Sequence, residues 1–154
     1  VSAWRDRIQN LQIVSVESTT LHCPKKNALL TGSDRAAGDL ILTTDADCSP
    51  APGWIASTVS AFATDTGVVI GPSPLTDPGG KFGPLLAFQS LLVNALAAGS
   101  AGIGFPLPCS GRNLAFRREA FAQSGGYQPI GHIIGGDDLL LMRRIAALGW
   151  DVHY

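Results

Sequence analysis

The chain has 154 residues, a formal net charge of -1 and 15% charged residues, compared with about 25% in an average soluble domain. Its hydrophobic fraction of 45% excludes intrinsic disorder, which combines low hydrophobicity with high net charge. Eleven basic residues against twelve acidic ones give no overall field that attracts phosphates, so no nucleic-acid partner is expected. The length suits a single α/β domain.

The first half of the chain predicts alternating strands and helices. Short apolar runs bounded by polar residues or glycine predict strands over 11–16, 39–44 and 67–71. Good helix formers over 25–37, and the prolines from Pro50 onward, predict a helix in each interval. Strand-helix-strand units with short connections predict a mainly parallel sheet flanked by helices.

The second half predicts a different pattern. Helices are predicted over 85–98, 117–124 and 137–148, and the stretch 99–111, rich in glycine and proline, predicts a loop. The residues that follow Trp150 predict the start of another strand.

The three cysteines are far apart and odd in number: Cys23, Cys48 and Cys109. This pattern predicts neither a disulfide framework nor a structural zinc site, and it favours a reducing, cytoplasmic compartment. The chain begins with Val1, and its single methionine is Met142. We therefore expect a segment from inside a larger protein.

An acidic pair, Asp45 and Asp47, directly follows the predicted strand 39–44. Ligands of α/β sheets bind outside the carboxyl ends of the strands, and two carboxylates there suit Mg²⁺ or Mn²⁺ that also takes substrate phosphates. A polar turn with a helix cap is the structural alternative.

A second acidic pair, Asp137 and Asp138, follows Gly135 and Gly136 at a predicted helix start. Acidic residues at this position stabilise a helix by capping and by the macrodipole alone. Two glycines also let a backbone approach a ligand closely, and a carboxylate beside a diphosphate site can act as a general base.

Hydrogen-bond donors suited to phosphate or sugar oxygens are expected at Lys25, Gly111, Arg112 and Asn113. For Lys25, simple exposure to solvent is the alternative. Arg117 and Arg118 are expected on a solvated helix face.

In this order the motifs resemble the family 2 glycosyltransferases of the GT-A fold, in the processive and membrane-associated branch that includes cellulose, hyaluronan and ceramide glucosyl-transferring relatives. The resemblance rests on the segments 25–30, 36–48, 50–55, 111–121, 125–127 and 136–150. It implies a GT-A-like (Rossmann-like) partial catalytic domain truncated at both ends, with a donor half over 1–71 and a half over 72–154 for the acceptor and base.

The resemblance also implies the roles of the acidic residues. Asp45 and Asp47 would serve the nucleotide-sugar diphosphate through Mg²⁺ or Mn²⁺, with Asp47 as the direct metal ligand. Asp138 would be the base that takes the proton of the acceptor hydroxyl, and Asp137 would support it. The implied reaction inverts the anomeric carbon, and the acceptor would be a carbohydrate or lipid-linked.

Two parts of the family pattern are missing from the chain. The first strand and the acidic residues that hold the nucleotide base would precede Val1, and the Q-x-x-R-W segment would follow Tyr154. We therefore expect the chain alone to be weakly active or inactive.

Two other functions remain open at this stage. The run from Leu40 to Ser49 resembles the D-x-D motif of haloacid dehalogenase phosphatases, in which Asp45 would be the nucleophile and Asp47 an acid/base. Alternatively, the acidic loops are structural and the chain is a non-catalytic binding module.

The stretch from Phe82 to Gly111 contains no charged residue. Its prolines and glycines argue against a membrane span, which needs about 20 predominantly apolar residues in a row. We expect the helix over 85–98 to be exposed or self-associating, and to be covered in the larger protein by other segments or by the cytoplasmic surface of a membrane.

Overall fold

A computed structural model describes residues 8, 10–16, 21–76 and 79–154. These residues form α1 (Pro24–Arg35), β1 (Leu40–Thr43), α2 (Trp54–Ser60), β2 (Thr66–Ile70), α3 (Gly83–Gly102), β3 (Leu114–Arg117), α4 (Arg118–Gln123), α5 (Asp137–Ala146) and β4 (Asp151–His153). Short 3-10 turns, Gly111–Asn113 and Gln128–Ile130, precede β3 and α5.

The strands form one mixed sheet in the order β1-β3-β2-β4. β3 is antiparallel to both β1 and β2, and β4 is parallel to β2. The prediction of a mainly parallel sheet is therefore wrong. The antiparallel strand β3 was not predicted. It is only four residues long, and its sequence shows no strand periodicity that distinguishes it from the helix that follows.

The predicted strand over 11–16 is also wrong, because these residues have no regular secondary structure. Ile13 and Val16 are 45% and 39% exposed. A β-branched run forms a strand only where a neighbouring strand supplies a hydrogen-bonding partner, and the ladders of the described sheet do not include it.

The other elements follow the sequence closely. α1, β1, β2, α4, α5 and β4 lie within a few residues of their predicted bounds. α2 begins at Trp54 rather than at the prolines before it, because Gly53 has a left-handed φ of 86° and breaks the helical backbone there.

The core lies between the sheet and α5. Leu141, Met142 and Ile145 of α5 are fully buried. The ring of Phe121 lies 5.0 Å from that of Phe116 on β3 and 5.4 Å from that of Tyr127. This packing fixes α5 against the sheet, so the start of α5 has a defined position.

Helix α3 is unbroken over 20 residues. Pro84 lies in its first turn, and Gly99 and Gly102 lie in its last, so none of them interrupts it. By length and composition alone, it is the one helix in the described part of the chain that could cross a membrane.

The expected exposure of α3 is confirmed. Leu85, Leu91 and Leu96 are each more than half exposed. Since the helix is uninterrupted, its prolines and glycines do not exclude a membrane span, contrary to the expectation from the sequence. Self-association stays a prediction.

The exposure of α3 generates the first testable prediction. The double substitution Leu85→Gln and Leu91→Gln is expected to leave the free energy of unfolding within about 0.5 kcal/mol of wild type, because neither side chain is in the core. It is expected to weaken self-association, measured by sedimentation velocity. Leu141→Gln is the control that destabilises the fold. A wild-type chain that stays monomeric at all concentrations contradicts the prediction.

Candidate functional site

Lys25 joins the two acidic pairs. Its ammonium Nζ lies 3.5 Å from Oδ1 of Asp45 and 3.1 Å from Oδ2 of Asp137. Asp45 follows β1 and Asp137 is the first residue of α5. One cation of α1 therefore connects carboxylates from the two halves of the chain.

Asp138 is held by the segment that precedes β3. Its Oδ2 accepts a hydrogen bond of 2.8 Å from the backbone N–H of Gly111. A Cβ at Gly111 would stand 3.7 Å from Nζ of Lys25 and 3.8 Å from Oδ2 of Asp137. Five predicted site residues therefore come together: Lys25, Asp45, Gly111, Asp137 and Asp138.

The sheet register explains this convergence. Thr43 at the end of β1 pairs with Leu114 at the start of β3, and Oγ1 of Thr43 donates a 3.0 Å hydrogen bond to the carbonyl of Leu114. The loop that carries Asp45 and the turn that carries Gly111 therefore leave the sheet at the same edge.

Helix α5 supplies the second acidic pair. Gly136, with a left-handed φ of 61°, is the N-cap residue, and Asp137 and Asp138 lie in the first turn. The partial positive charge of a helix N-terminus favours carboxylates there. Stabilisation of the helix start therefore accounts for the acidic pair by itself, and it is compatible with the predicted role of Asp138 as a general base.

The charge of Lys25 is stabilised by its neighbours. Partial burial alone lowers the pKa of Lys25, but the hydrogen bond to Asp137 and the negative charges of Asp137 and Asp45 outweigh burial and hold the pKa above its ordinary value. The ammonium stays charged at neutral pH and offsets the repulsion between the two carboxylates.

Asp47 forms no ion pair with the described residues. It is exposed, and its Oδ1 accepts a contact of 3.7 Å from Sγ of Cys48. Within the described residues, no three His, Cys, Asp or Glu side chains come together as a metal cage. Asp45 and Asp47 nevertheless offer the hard oxygen ligands with which Mg²⁺ or Mn²⁺ binds when substrate phosphates and water complete its shell.

Asn113 uses its side chain within the protein. Its Oδ1 accepts a 2.9 Å hydrogen bond from Nε1 of Trp54, and its Nδ2 donates one of 2.9 Å to the carbonyl of Pro72. Nε of Arg112 donates to Oγ of Ser110 at 3.1 Å. Asn113 thus connects α2 to the sheet. Contacts of Arg112 and Asn113 with the nucleotide-sugar donor stay predictions.

Cys109 and Tyr127 border the acidic pair. Neither was among the predicted site residues. Burial raises the pKa of both groups, and the nearby charges of Asp137 and Asp138 raise it further. Both stay protonated at neutral pH. Their positions in the sequence could have indicated that they lie near the site, since Cys109 comes just before Gly111 and Tyr127 follows a glycine pair.

Arg117 and Arg118 are not on a solvated helix face, so that prediction is wrong. Arg118 donates to the carbonyls of Gly38, at 2.8 Å, and of Ala36. Arg117 donates to the carbonyls of Thr66, at 3.0 Å, and of Ala63, at 2.7 Å. The ends of helices and strands leave some backbone carbonyls without a hydrogen-bond partner, and long cationic side chains donate hydrogen bonds to them.

The buried phenol of Tyr127 generates a prediction on pH. Since its pKa is raised in the folded state, the unfolded chain loses this proton first, at about pH 10. Above that pH, this group lowers the free energy of unfolding by up to about 1.4 kcal/mol per pH unit. Tyr127→Phe is expected to remove that slope in denaturant titrations. Tyr154→Phe is the comparison: burial also raises the pKa of Tyr154, but Tyr154 is 38% exposed, so a smaller change in slope is expected. Equal slopes in wild type and Tyr127→Phe contradict the prediction.

Comparison with known proteins bears on the whole chain. A family model for glycosyl transferase family 21 matches residues 7–154, which include both acidic pairs. A search of curated proteins gave no match. The sequence motifs resemble family 2. The family 21 match supports glycosyl transfer in general, but not the assignment to family 2. The chain belongs to glycosyl transferase family 21.

Proposed function

We propose that the chain is the catalytic segment of an enzyme that transfers a sugar from a nucleotide-diphosphate donor to an acceptor hydroxyl, with inversion at the anomeric carbon. Family membership supports glycosyl transfer. The observation that carries the finer proposal is the contact of Lys25 with both Asp45 and Asp137, because it sets a donor-side carboxylate beside the acidic pair proposed as the base.

The donor side is formed by the loop after β1 and the start of α1. Asp45 and Asp47 would hold Mg²⁺ or Mn²⁺, which supplies charge neutralisation for the leaving diphosphate. The side chain of Lys25 is half exposed, so its ammonium is accessible to an anionic donor. The Gly111–Asn113 turn adds Arg112 and backbone groups to the proposed donor contacts.

The acceptor side is formed by the start of α5. Asp138 is proposed as the general base that takes the proton of the acceptor hydroxyl. The N–H of Gly111 fixes one carboxylate oxygen of Asp138. Asp137 is 7% exposed and bonded to Lys25, so it is proposed to support the base. A base on the face of the sugar opposite the diphosphate gives inversion in a single displacement.

The two other functions considered from the sequence are less well supported. Both the phosphatase with Asp45 as nucleophile and the non-catalytic module lack support from a family match, whereas glycosyl transfer has it. Formation of a phosphoenzyme that Asp45→Asn abolishes distinguishes the phosphatase from the transferase.

We further propose that the full-length enzyme works at the cytoplasmic face of a membrane, on a carbohydrate or lipid-linked acceptor. The long apolar helix α3 supports this proposal. Only 17% of an apolar 18-residue stretch of this helix is buried inside the protein. We also propose a donor half over 1–71 and an acceptor half over 72–154, and we expect the chain alone to be weakly active or inactive.

The metal and donor proposal predicts that Asp47→Ala removes the effect of Mn²⁺ on UDP or GDP binding. In the wild-type full-length protein, one of these nucleotides is expected to bind at least about tenfold more tightly with Mn²⁺ than without it. Isothermal titration calorimetry measures both affinities. Asp34→Ala, on the exposed side of α1, is the matched control. Nucleotide binding that ignores Mn²⁺ in the wild type contradicts the proposal.

The base proposal predicts that Asp138→Asn lowers kcat about 10²- to 10⁴-fold, the usual contribution of a general base. Proton removal is lost, while the amide oxygen can still accept from the N–H of Gly111; the amide NH2 gives up the 2.7 Å hydrogen bond that Oδ1 accepts from the N–H of Leu139. Nucleotide binding is expected to stay within about twofold of wild type. Asp34→Asn serves as the control, and near-normal transfer by Asp138→Asn rules out this base.

A further inference from the structure

Lys26 is a fully buried lysine that the proposed mechanism does not use. It is 0% exposed, and its Nζ donates hydrogen bonds of 2.8 Å to the carbonyls of Ile130 and Ile133. Among the described residues, the ion pairs involve Lys25 and not Lys26. A lysine is rarely fully buried without an acidic partner, so what it holds in place is informative.

The turn that Lys26 binds is attached to the same segment at two further points. The N–H of His22 donates to the carbonyl of Gly131 at 3.2 Å. A Cβ at Gly131 would come within 2.4 Å of Cδ2 and 3.2 Å of Cβ of Leu21, so a larger residue at 131 would require Leu21 to move. Three independent contacts therefore join 21–26 to 130–133.

Lys25 and Lys26 hold the two ends of one short segment. Lys26 binds the carbonyl of Ile133, and Lys25 binds the carboxylate of Asp137. Between these points lie Ile134, which is 89% exposed, and two glycines with positive φ at positions 135 and 136. Glycines are the most flexible residues, so the fixed ends must define where the segment delivers the acidic pair.

We propose that Lys26 is a positioning residue for sugar transfer. It anchors the Ile133 end of the 133–137 segment, so that Asp137 and Asp138 stay aligned with Lys25 and Gly111 when the donor binds. The catalytic part of this inference rests on the proposed function. The mechanical part, that Lys26 restrains the segment, does not.

The chemistry of Lys26 suits an anchor. An ammonium donates up to three hydrogen bonds, and bonds from a charged donor are about twice as strong as neutral ones. Lys25 also pairs with Asp45, which is proposed to serve the donor, so we expect its hold on Asp137 to change during the reaction. Lys26 binds backbone carbonyls only, so its hold does not depend on the ligand.

Hydrogen exchange of the full-length protein tests the mechanical part. Lys26→Met has a similar length but no hydrogen-bond donor. It is expected to speed exchange of the amides of Gly131 and Ile133, which donate to the carbonyls of Gln128 and Ile130, at least about tenfold while the sheet keeps its protection. Lys26→Arg is expected to restore protection to within about threefold, and Lys81→Met, at an exposed lysine, to match wild type. Unchanged exchange of the Gly131 and Ile133 amides in Lys26→Met overturns the proposal.

Lys26→Gln is the second variant if Lys26→Met does not fold. Its amide can bond one carbonyl but is too short to hold both in the observed geometry, so partial loosening of the same segment is expected. Wild-type exchange in Lys26→Gln also overturns the proposal.

Kinetics separate positioning from mere stability. Lys26→Met is expected to lower kcat about tenfold or more, because small displacements of reacting groups are costly, with the donor KM within about twofold and Lys26→Arg recovering most of the rate. Activity that falls only with the folded fraction overturns the positioning role. A wild type that transfers no sugar disproves the proposed function, while hydrogen exchange still decides whether Lys26 is the anchor.

Discussion

The pairing of β3 with β1 is the constraint on which the rest of the site depends. β3 lies between β1 and β2 and is antiparallel to both, and Phe116 in its centre is fully buried. The register that joins Thr43 to Leu114 sets the turn at Gly111 beside the loop of Asp45. Because an antiparallel ladder fixes both strands along their length, this register sets the position of the Asp45 loop relative to Gly111 and the Asp138 carboxylate that Gly111 binds.

Charge balance is the second constraint. Two carboxylates, those of Asp45 and Asp137, pair with one ammonium, that of Lys25. The pair with Asp45 is exposed on both sides and contributes at most about 1 kcal/mol to stability. Asp137 is buried, so loss of Lys25 would leave an unpaired carboxylate in the interior, which is far more costly.

The two adjacent lysines of α1 show how a fold gives different roles to the same residue type. Lys25 is half exposed and meets carboxylates, whereas Lys26 is fully buried and meets carbonyls. One step along a helix turns a side chain by about 100°. That rotation separates a cation that faces the carboxylates of Asp45 and Asp137 from one that faces the turn before α5.

Local sequence determined the helices α1 and α5, the strands β1 and β2, and the two acidic pairs with their glycines, because proline, glycine and apolar runs act over a few residues. It also carried the family's motifs, which suffice to indicate glycosyl transfer. Only the tertiary structure decided that 114–117 is a strand, that 11–16 is not, and that Asn113 bonds to Trp54. Strand pairing and side-chain partners depend on residues far apart in the chain, and no local pattern specifies them.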